Sequence, residues 1–155
     1  MNKDINIEKT CSFTGHRILK KDINVEDIDN IVDTLISQGY NTFLVGMALG
    51  FDLLCFERLL LKKSKNIKII ACIPCKGQEG KYPSKEKEKY YKLLEQADQK
   101  IYMFEEYENG CMFVRNRFLV DNSSVIVAYF YKKSGGTYYT VNYAEKRRKK
   151  IIFIK

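Results

Sequence analysis

Four short stretches of this chain combine glycine with cationic or hydroxyl side chains in patterns suited to holding an anion. The first is Thr14-Gly15-His16-Arg17. Glycine permits close backbone approach, the Arg17 guanidinium is a rigid fork matched to phosphate or carboxylate, and His16 is able to donate to a phosphate or polarise a leaving group. The second runs from Gly46 to Asp52, with Gly46 and Gly50 just ahead of an apolar segment. A helix beginning there starts close to a sheet and aims its first N–H groups at an anion, while Asp52 suits a ribose hydroxyl or the helix N-terminus itself. This stretch is neither GxGxxG nor a P-loop, which needs a lysine and a hydroxyl after its last glycine. The third, Arg115-Asn116-Arg117, follows Asn109-Gly110. Arg115 falls in the first turns of a helix, and Arg117 points roughly 200° away, at about 100° per residue, so the two serve different surfaces. The fourth is Ser134-Gly135-Gly136-Thr137, with Thr140 one turn later. Its glycines leave amides open to a phosphate, Thr137 is placed to cap the helix or bond a phosphate oxygen, and Thr140 shares its face.

Other chemistries have weaker support. The five cysteines are an odd number without disulfide-framework spacing and read as small buried hydrophobes. Cys72-Ile73-Pro74-Cys75 has redox or half-zinc spacing, yet there is no second pair and His16 is the sole histidine, so no metal site is expected. The net charge of +8 favours a polyanionic partner. Much of the excess sits in Lys62-Lys63, between Lys76 and Lys89, and in Lys146-Arg147-Arg148-Lys149-Lys150, two of which fall where helices end and cations are favoured by the dipole.

The elements that must position these stretches follow from hydrophobic periodicity. Strands are expected at Cys11–Thr14, Thr42–Val45, Ile67–Ile73 (stopped by Pro74), Ile101–Phe104, Val125–Phe130 and Ile151–Ile154. Between them lie helices through Val25–Ile36 with Gly39 as a C-terminal stop, Leu49–Leu61, from Ser84 with Tyr90, Tyr91, Leu93 and Leu94 inward, Met112–Val120, and Thr137–Lys146. Strands without polar alternation are covered on both faces, as parallel sheets are. The alternation therefore predicts one α/β domain over residues 1–155, a Rossmann-like three-layer sandwich whose central sheet of about six strands is mostly parallel. In such folds ligands sit at the carboxyl ends of the strands, where all four stretches fall. No apolar run is long enough to span a membrane and no secretory signal opens the chain, so the expected location is the cytoplasm, with no membrane partner. The sequence leaves homo-oligomerisation open.

Taken in order, Thr14-Gly15-His16-Arg17, Gly46 to Asp52, Cys111 to Arg117 and Gly135 to Thr140 resemble the YpsA-like branch of the SLOG superfamily, which groups the Lonely Guy enzymes with the Smf/DprA DNA-processing proteins. The resemblance spans nearly the whole chain and implies a Rossmann-like fold with a nucleotide pocket over the glycine loops. It also implies that Arg115 stands where Lonely Guy enzymes carry a catalytic arginine. Thr140 stands where they carry a glutamate, and a threonine cannot supply the carboxylate that glycosidic cleavage uses. Three readings follow. The first is a non-enzymatic sensor or regulatory domain for a nucleotide-derived ligand of ADP-ribose or NAD type, with no resident cofactor. The second is a phosphoribohydrolase or N-glycosidase with its missing group supplied by His16, Asp52 or Glu79. The third is a single-stranded nucleic-acid-binding module using Tyr138-Tyr139 or Tyr129-Phe130-Tyr131 as stacking platforms. The ligand set common to the first two is Gly15, His16, Arg17, Gly46, Gly50, Asp52, Arg115, Asn116, Gly135, Gly136, Thr137 and Thr140.

Overall fold

A computed structural model describes residues 5–154 of the chain. Six strands and five α-helices alternate: β1 (Thr10–Gly15), α1 (Val25–Ser37), β2 (Thr42–Val45), α2 (Phe51–Leu60), β3 (Lys68–Cys75), α3 (Ser84–Glu95), β4 (Gln99–Phe104), α4 (Cys111–Asp121), β5 (Val125–Tyr129), α5 (Gly135–Lys146) and β6 (Lys150–Phe153). The strands form one sheet in the order β4-β3-β2-β1-β5-β6, and every pairing is parallel. The fold is a Rossmann-like α/β sandwich.

The continuous apolar runs follow from burial on both faces. Along β1, Cys11 and Phe13 enter the larger core cluster, whereas Ser12 turns to the opposite face and shares a hydrogen bond with Ser123 at 2.9 Å. In β3, Ile69, Ala71 and Ile73 face the first cluster and Ile70 and Cys72 the second. Helices α1, α2 and α3 cover one face through Ile28, Val32, Phe56, Leu59, Tyr90 and Leu93, and α4 and α5 cover the other through Leu119, Val120 and Ala144. Helix α1 starts where Asn24 Oδ1 accepts the Asp27 amide at 3.0 Å, and it stops at Gly39, whose φ of 100° closes the last turn.

Most element ends differ from expectation by one or two residues, and two of the differences have a specific cause. Strand β3 runs through Pro74 to Cys75, because β2 ends with Val45 opposite Ala71 and leaves no ladder on that side for the missing proline N–H to interrupt. Helix α5 begins at Gly135 rather than Thr137: Ser134 is its extended N-cap, and both glycines take part in the first turn.

The topology fixes where a ligand can sit. From β1 the chain winds outward through β2, β3 and β4, then returns to place β5 on the other side of β1. Connections leaving β1 and β5 thus diverge, opening a crevice at the carboxyl ends of these two central strands.

Candidate functional site

That crevice is a cavity of about 540 Å³. Gly15, His16, Arg17, Asp52, Arg115, Asn116, Gly135, Gly136 and Thr137 line it, so residues from four separate connections meet at one place. Gly46, Gly50 and Thr140 lie outside its lining.

The floor is built around Arg115. This side chain is only 4% exposed, and its guanidinium donates to the carbonyl of Gly46, to the Cys72 carbonyl at 3.5 Å, and through Nε to Asn116 Oδ1 at 2.9 Å. Nη2 has no protein acceptor among the described residues. The cation is therefore clamped on one side and keeps donor capacity on the other. Gly46 makes room for it: a Cβ there would stand 2.8 Å from Asp52 Oδ2 and 2.9 Å from Arg115 Nη1. Gly46 thus shapes the site from behind the lining. The loop carrying it is propped from outside by Tyr82, whose hydroxyl donates to the Met47 carbonyl at 3.0 Å.

Asp52 is buried beside this cation. Burial pushes its carboxyl up to about 6, although Arg115 and the Ala48 amide, which Oδ2 accepts at 3.2 Å, pull the other way. Its folded-state value lies above the ordinary one near 3.8, so the stability attached to the protonated form is fully present below pH 3.8 and is lost as pH rises through about 6. Asp52→Asn removes this titration while keeping an oxygen for Ala48. Relative to the native chain, the variant is expected to gain about 2–3 kcal/mol between roughly pH 4 and pH 7. Urea unfolding of both proteins across that range measures the difference, and a pH-independent difference contradicts the assignment.

His16 lines the cavity in a neutral state. Burial lowers its pKa first, followed by the charges of Lys132 and Lys20. Its Nε2 accepts the Lys132 amide at 3.4 Å, and its ring packs against Tyr131 with centroids 4.3 Å apart. The imidazole thereby holds the β5–α5 connection against the β1 loop. Arg17, by contrast, is exposed, and Nη2 makes only a long contact to Met112 Sδ at 3.7 Å.

The α5 end of the cavity supplies amides. Ser134 makes no side-chain cap, and the N–H groups of Gly135, Gly136 and Thr137 precede the first intrahelical acceptors. At α4, by comparison, the Cys111 and Phe113 amides are already taken by the carbonyls of Glu108 and Gly110, and at α2 the Phe51 amide is taken by His16. Thr137 faces the cavity as the third helical residue rather than as a cap. Thr140 differs from expectation: its hydroxyl turns back onto its own helix and donates to the Gly136 carbonyl at 2.8 Å, as threonine does when buried in a helix interior.

Glu79 is also elsewhere, accepting the Tyr91 hydroxyl at 2.7 Å, and Arg117 donates to the Tyr139 hydroxyl at 2.8 Å, away from the cavity. All five cysteines are buried thiols. Sequence reasoning left Lys132 unnamed and read Tyr131 only as a stacking platform, although both line the cavity just past β5, and it missed Tyr107 from the β4–α4 connection and Met112 and Phe113 from the first turn of α4. The rule that ligands sit past the carboxyl ends of strands was enough to find the first two. The last three carry no periodic signal. Among the described residues, no helix is long and apolar enough to cross a membrane.

Comparison with known proteins agrees with this architecture. DNA processing protein A from Helicobacter pylori, whose structure concerns a single-stranded DNA binding mode, superposes with a TM-score of 0.69 at 20% identity, over 93% of this chain and 64% of that one. Its counterpart from Streptococcus pneumoniae gives 0.68 at 14% identity, over 94% of this chain, which spans half (50%) of that chain. A molybdenum cofactor binding protein from Rippkaea orientalis gives 0.61 at 16% identity, covering 94% of this chain and 76% of that one. At sequence level, the SPbeta prophage-derived protein YoqJ of Bacillus subtilis is 30% identical over 131 residues (75% of this chain, 77% of YoqJ). The YpsA protein of the same organism is 26% identical over 155 residues (90% of this chain, 86% of YpsA). The model of the YspA SLOG family matches residues 14–154, which takes in all four glycine-bearing connections around the cavity, and the chain belongs to that family.

Proposed function

We propose that this protein binds a nucleotide or nucleotide-derived ligand of ADP-ribose or NAD type, and acts as a non-enzymatic sensor or regulatory domain. The observation that carries the reading is the meeting, in one cavity, of the uncapped α5 amides with the buried Arg115 cation. Amides at a helix N-terminus favour an anion through their orientation and through the dipole. The exposed Arg17 and Lys132 at the mouth add charge that draws a phosphate inward.

The chemistry of the lining favours holding over cleaving. Asp52 is the one carboxylate among the described lining residues, and glycosidic hydrolysis of the usual kind needs two. Residue 140 is a threonine bonded to its own helix, and Glu79 is engaged elsewhere.

Gly136→Asp tests the reading. A Cβ at this position meets only Asn116 Nδ2, at 3.6 Å, and an acidic residue in the first turn suits the helix, so the fold is expected to lose less than about 1 kcal/mol. The added carboxylate sits where the phosphate would bind, and affinity is expected to fall at least about tenfold. Calorimetric titration with AMP, ADP, ADP-ribose and NAD measures it. No binding of any of them to the native chain, or equal binding by the variant, defeats the proposal.

A second reading, single-stranded nucleic acid as ligand, is favoured by one feature. Phe130 and Tyr138 stack with centroids 6.0 Å apart, and Phe153, 46% exposed, lies against Phe130 near Lys132 and Lys133. Oligonucleotide binding that weakens steeply with salt, stronger than binding of any mononucleotide, supports this reading over the first.

A further inference from the structure

We infer that the mouth of the cavity contains a separate subsite for an aromatic base, formed by Tyr107 and Phe113, so that the ligand class is a nucleotide held at both ends rather than a sugar phosphate. This inference rests on the phosphate seat proposed above and names what lies beyond it.

Three exposed large apolar side chains line this one cavity: Ile18 at 71% exposure, Tyr107 at 67% and Phe113 at 43%. Isolated exposed apolar residues are ordinary, but a group of them rimming a concave polar site marks a surface that is covered in use. The two rings differ in how they are held. Phe113 is backed by Tyr139, with ring centroids 4.6 Å apart, so one side of its ring is supported while the residue remains partly open to solvent. Tyr107 makes no side-chain hydrogen bond or ring contact among the described residues, so it is free to close on a planar guest. A fixed ring and a free one are the parts of a stacking clamp.

Charge sets the orientation. Tyr107 is flanked by the exposed Glu105, Glu106 and Glu108, and Lys76 neutralises only the first, at 3.0 Å. A phosphate is disfavoured near this acidic loop and favoured at the α5 amides, where Arg17 and Lys132 stand. A neutral base with exocyclic N–H donors is tolerated at the acidic end. Arg17 stands between the two ends, with Nη2 3.7 Å from Met112 Sδ, next to Phe113.

The test compares ADP with inorganic pyrophosphate by calorimetry on the full chain and on Tyr107→Ala, Phe113→Ala and Tyr107→Phe. The native protein is expected to bind ADP about 5- to 100-fold more tightly than pyrophosphate. Each alanine variant is expected to lose most of that advantage while binding pyrophosphate as before, and Tyr107→Phe to keep it. Tyr107 is 67% exposed and makes no ring contact or side-chain hydrogen bond among the described residues, so Tyr107→Ala is expected to keep the fold, and unchanged pyrophosphate binding checks that it does. Pyrophosphate binding with no added affinity for ADP, or alanine variants that keep the full preference for ADP, overturns the base subsite and leaves the phosphate seat standing. If neither ligand binds the native chain, the phosphate seat falls and the base subsite falls with it.

Discussion

Arg115→Ala is expected to destabilise the protein by about 3 kcal/mol and to abolish ligand binding. The guanidinium satisfies the buried carbonyls of Gly46 and Cys72 and supplies the main favourable charge opposite Asp52. Removing it takes this donor from the Cys72 carbonyl, leaves the Gly46 carbonyl with only Gln78 Nε2 at 3.3 Å, and leaves Asp52 buried without its main compensating cation. Asp52 answers by taking up a proton, since burial already holds its carboxyl at about 6 and the loss of Arg115 moves it higher. Part of the cost is thereby relieved. Combining the change with Asp52→Asn should accordingly cost less than the two effects added, because the pair interacts. Urea unfolding of the four proteins at neutral pH measures the coupling. Strict additivity, or a loss below about 1 kcal/mol for Arg115→Ala alone, shows that the cation is not placed as described.

Gly50→Ala is expected to be at least as damaging to stability, for a steric reason. Gly50 has a φ of 81°, and a Cβ there would stand 2.1 Å from the Arg17 carbonyl oxygen and 2.7 Å from its Cα. The obstacle is backbone, which cannot rotate aside as a side chain does. The two connections are also tied directly, by the Phe51 amide donating to the His16 carbonyl at 3.2 Å. Relief therefore requires the β1 and β2 loops to separate, which dismantles one wall of the cavity. We expect a loss above about 3 kcal/mol together with loss of ligand binding. Gly39→Ala is the control: its φ is 100°, yet nothing lies within 4 Å of its added Cβ, so it reports backbone strain alone, of about 1 kcal/mol. Equal losses from the two substitutions, read by chemical denaturation, contradict the close approach of the loops.

The periodicity of apolar residues was enough to place all six strands and five α-helices, because in a doubly covered parallel sheet the central strands β1, β2, β3 and β5 are buried on both faces. β2 has the expected bounds, and β1, β4 and β6 differ only at their ends. The start of α5 was mistaken because a hydroxyl residue after two glycines looks like a cap, whereas here the extended Ser134 precedes the helix and the glycines enter it. The site was legible in kind, as glycine-bearing connections after strands, and nine of the twelve expected ligand residues line one cavity. Thr140 was misjudged because helical spacing reports which face a residue occupies, not where its hydroxyl turns. Tyr107 and Phe113 escaped notice because single aromatic residues in or beside a loop have no period to betray them.

By itself, then, the order of residues determined the α/β alternation, the two-sided burial of the sheet and the presence of four anion-suited connections, since each depends on side chains near one another along the chain. Only the tertiary structure decided which of them meet. The crossing from β4 to the far side of β1 puts α4, and with it Arg115, under the same crevice as Gly135 and Gly136. It also turned Gly46 and Gly50 from contact residues into the space that lets Arg115, Asp52 and the Arg17 loop approach, because a missing Cβ matters only against a neighbour distant in sequence.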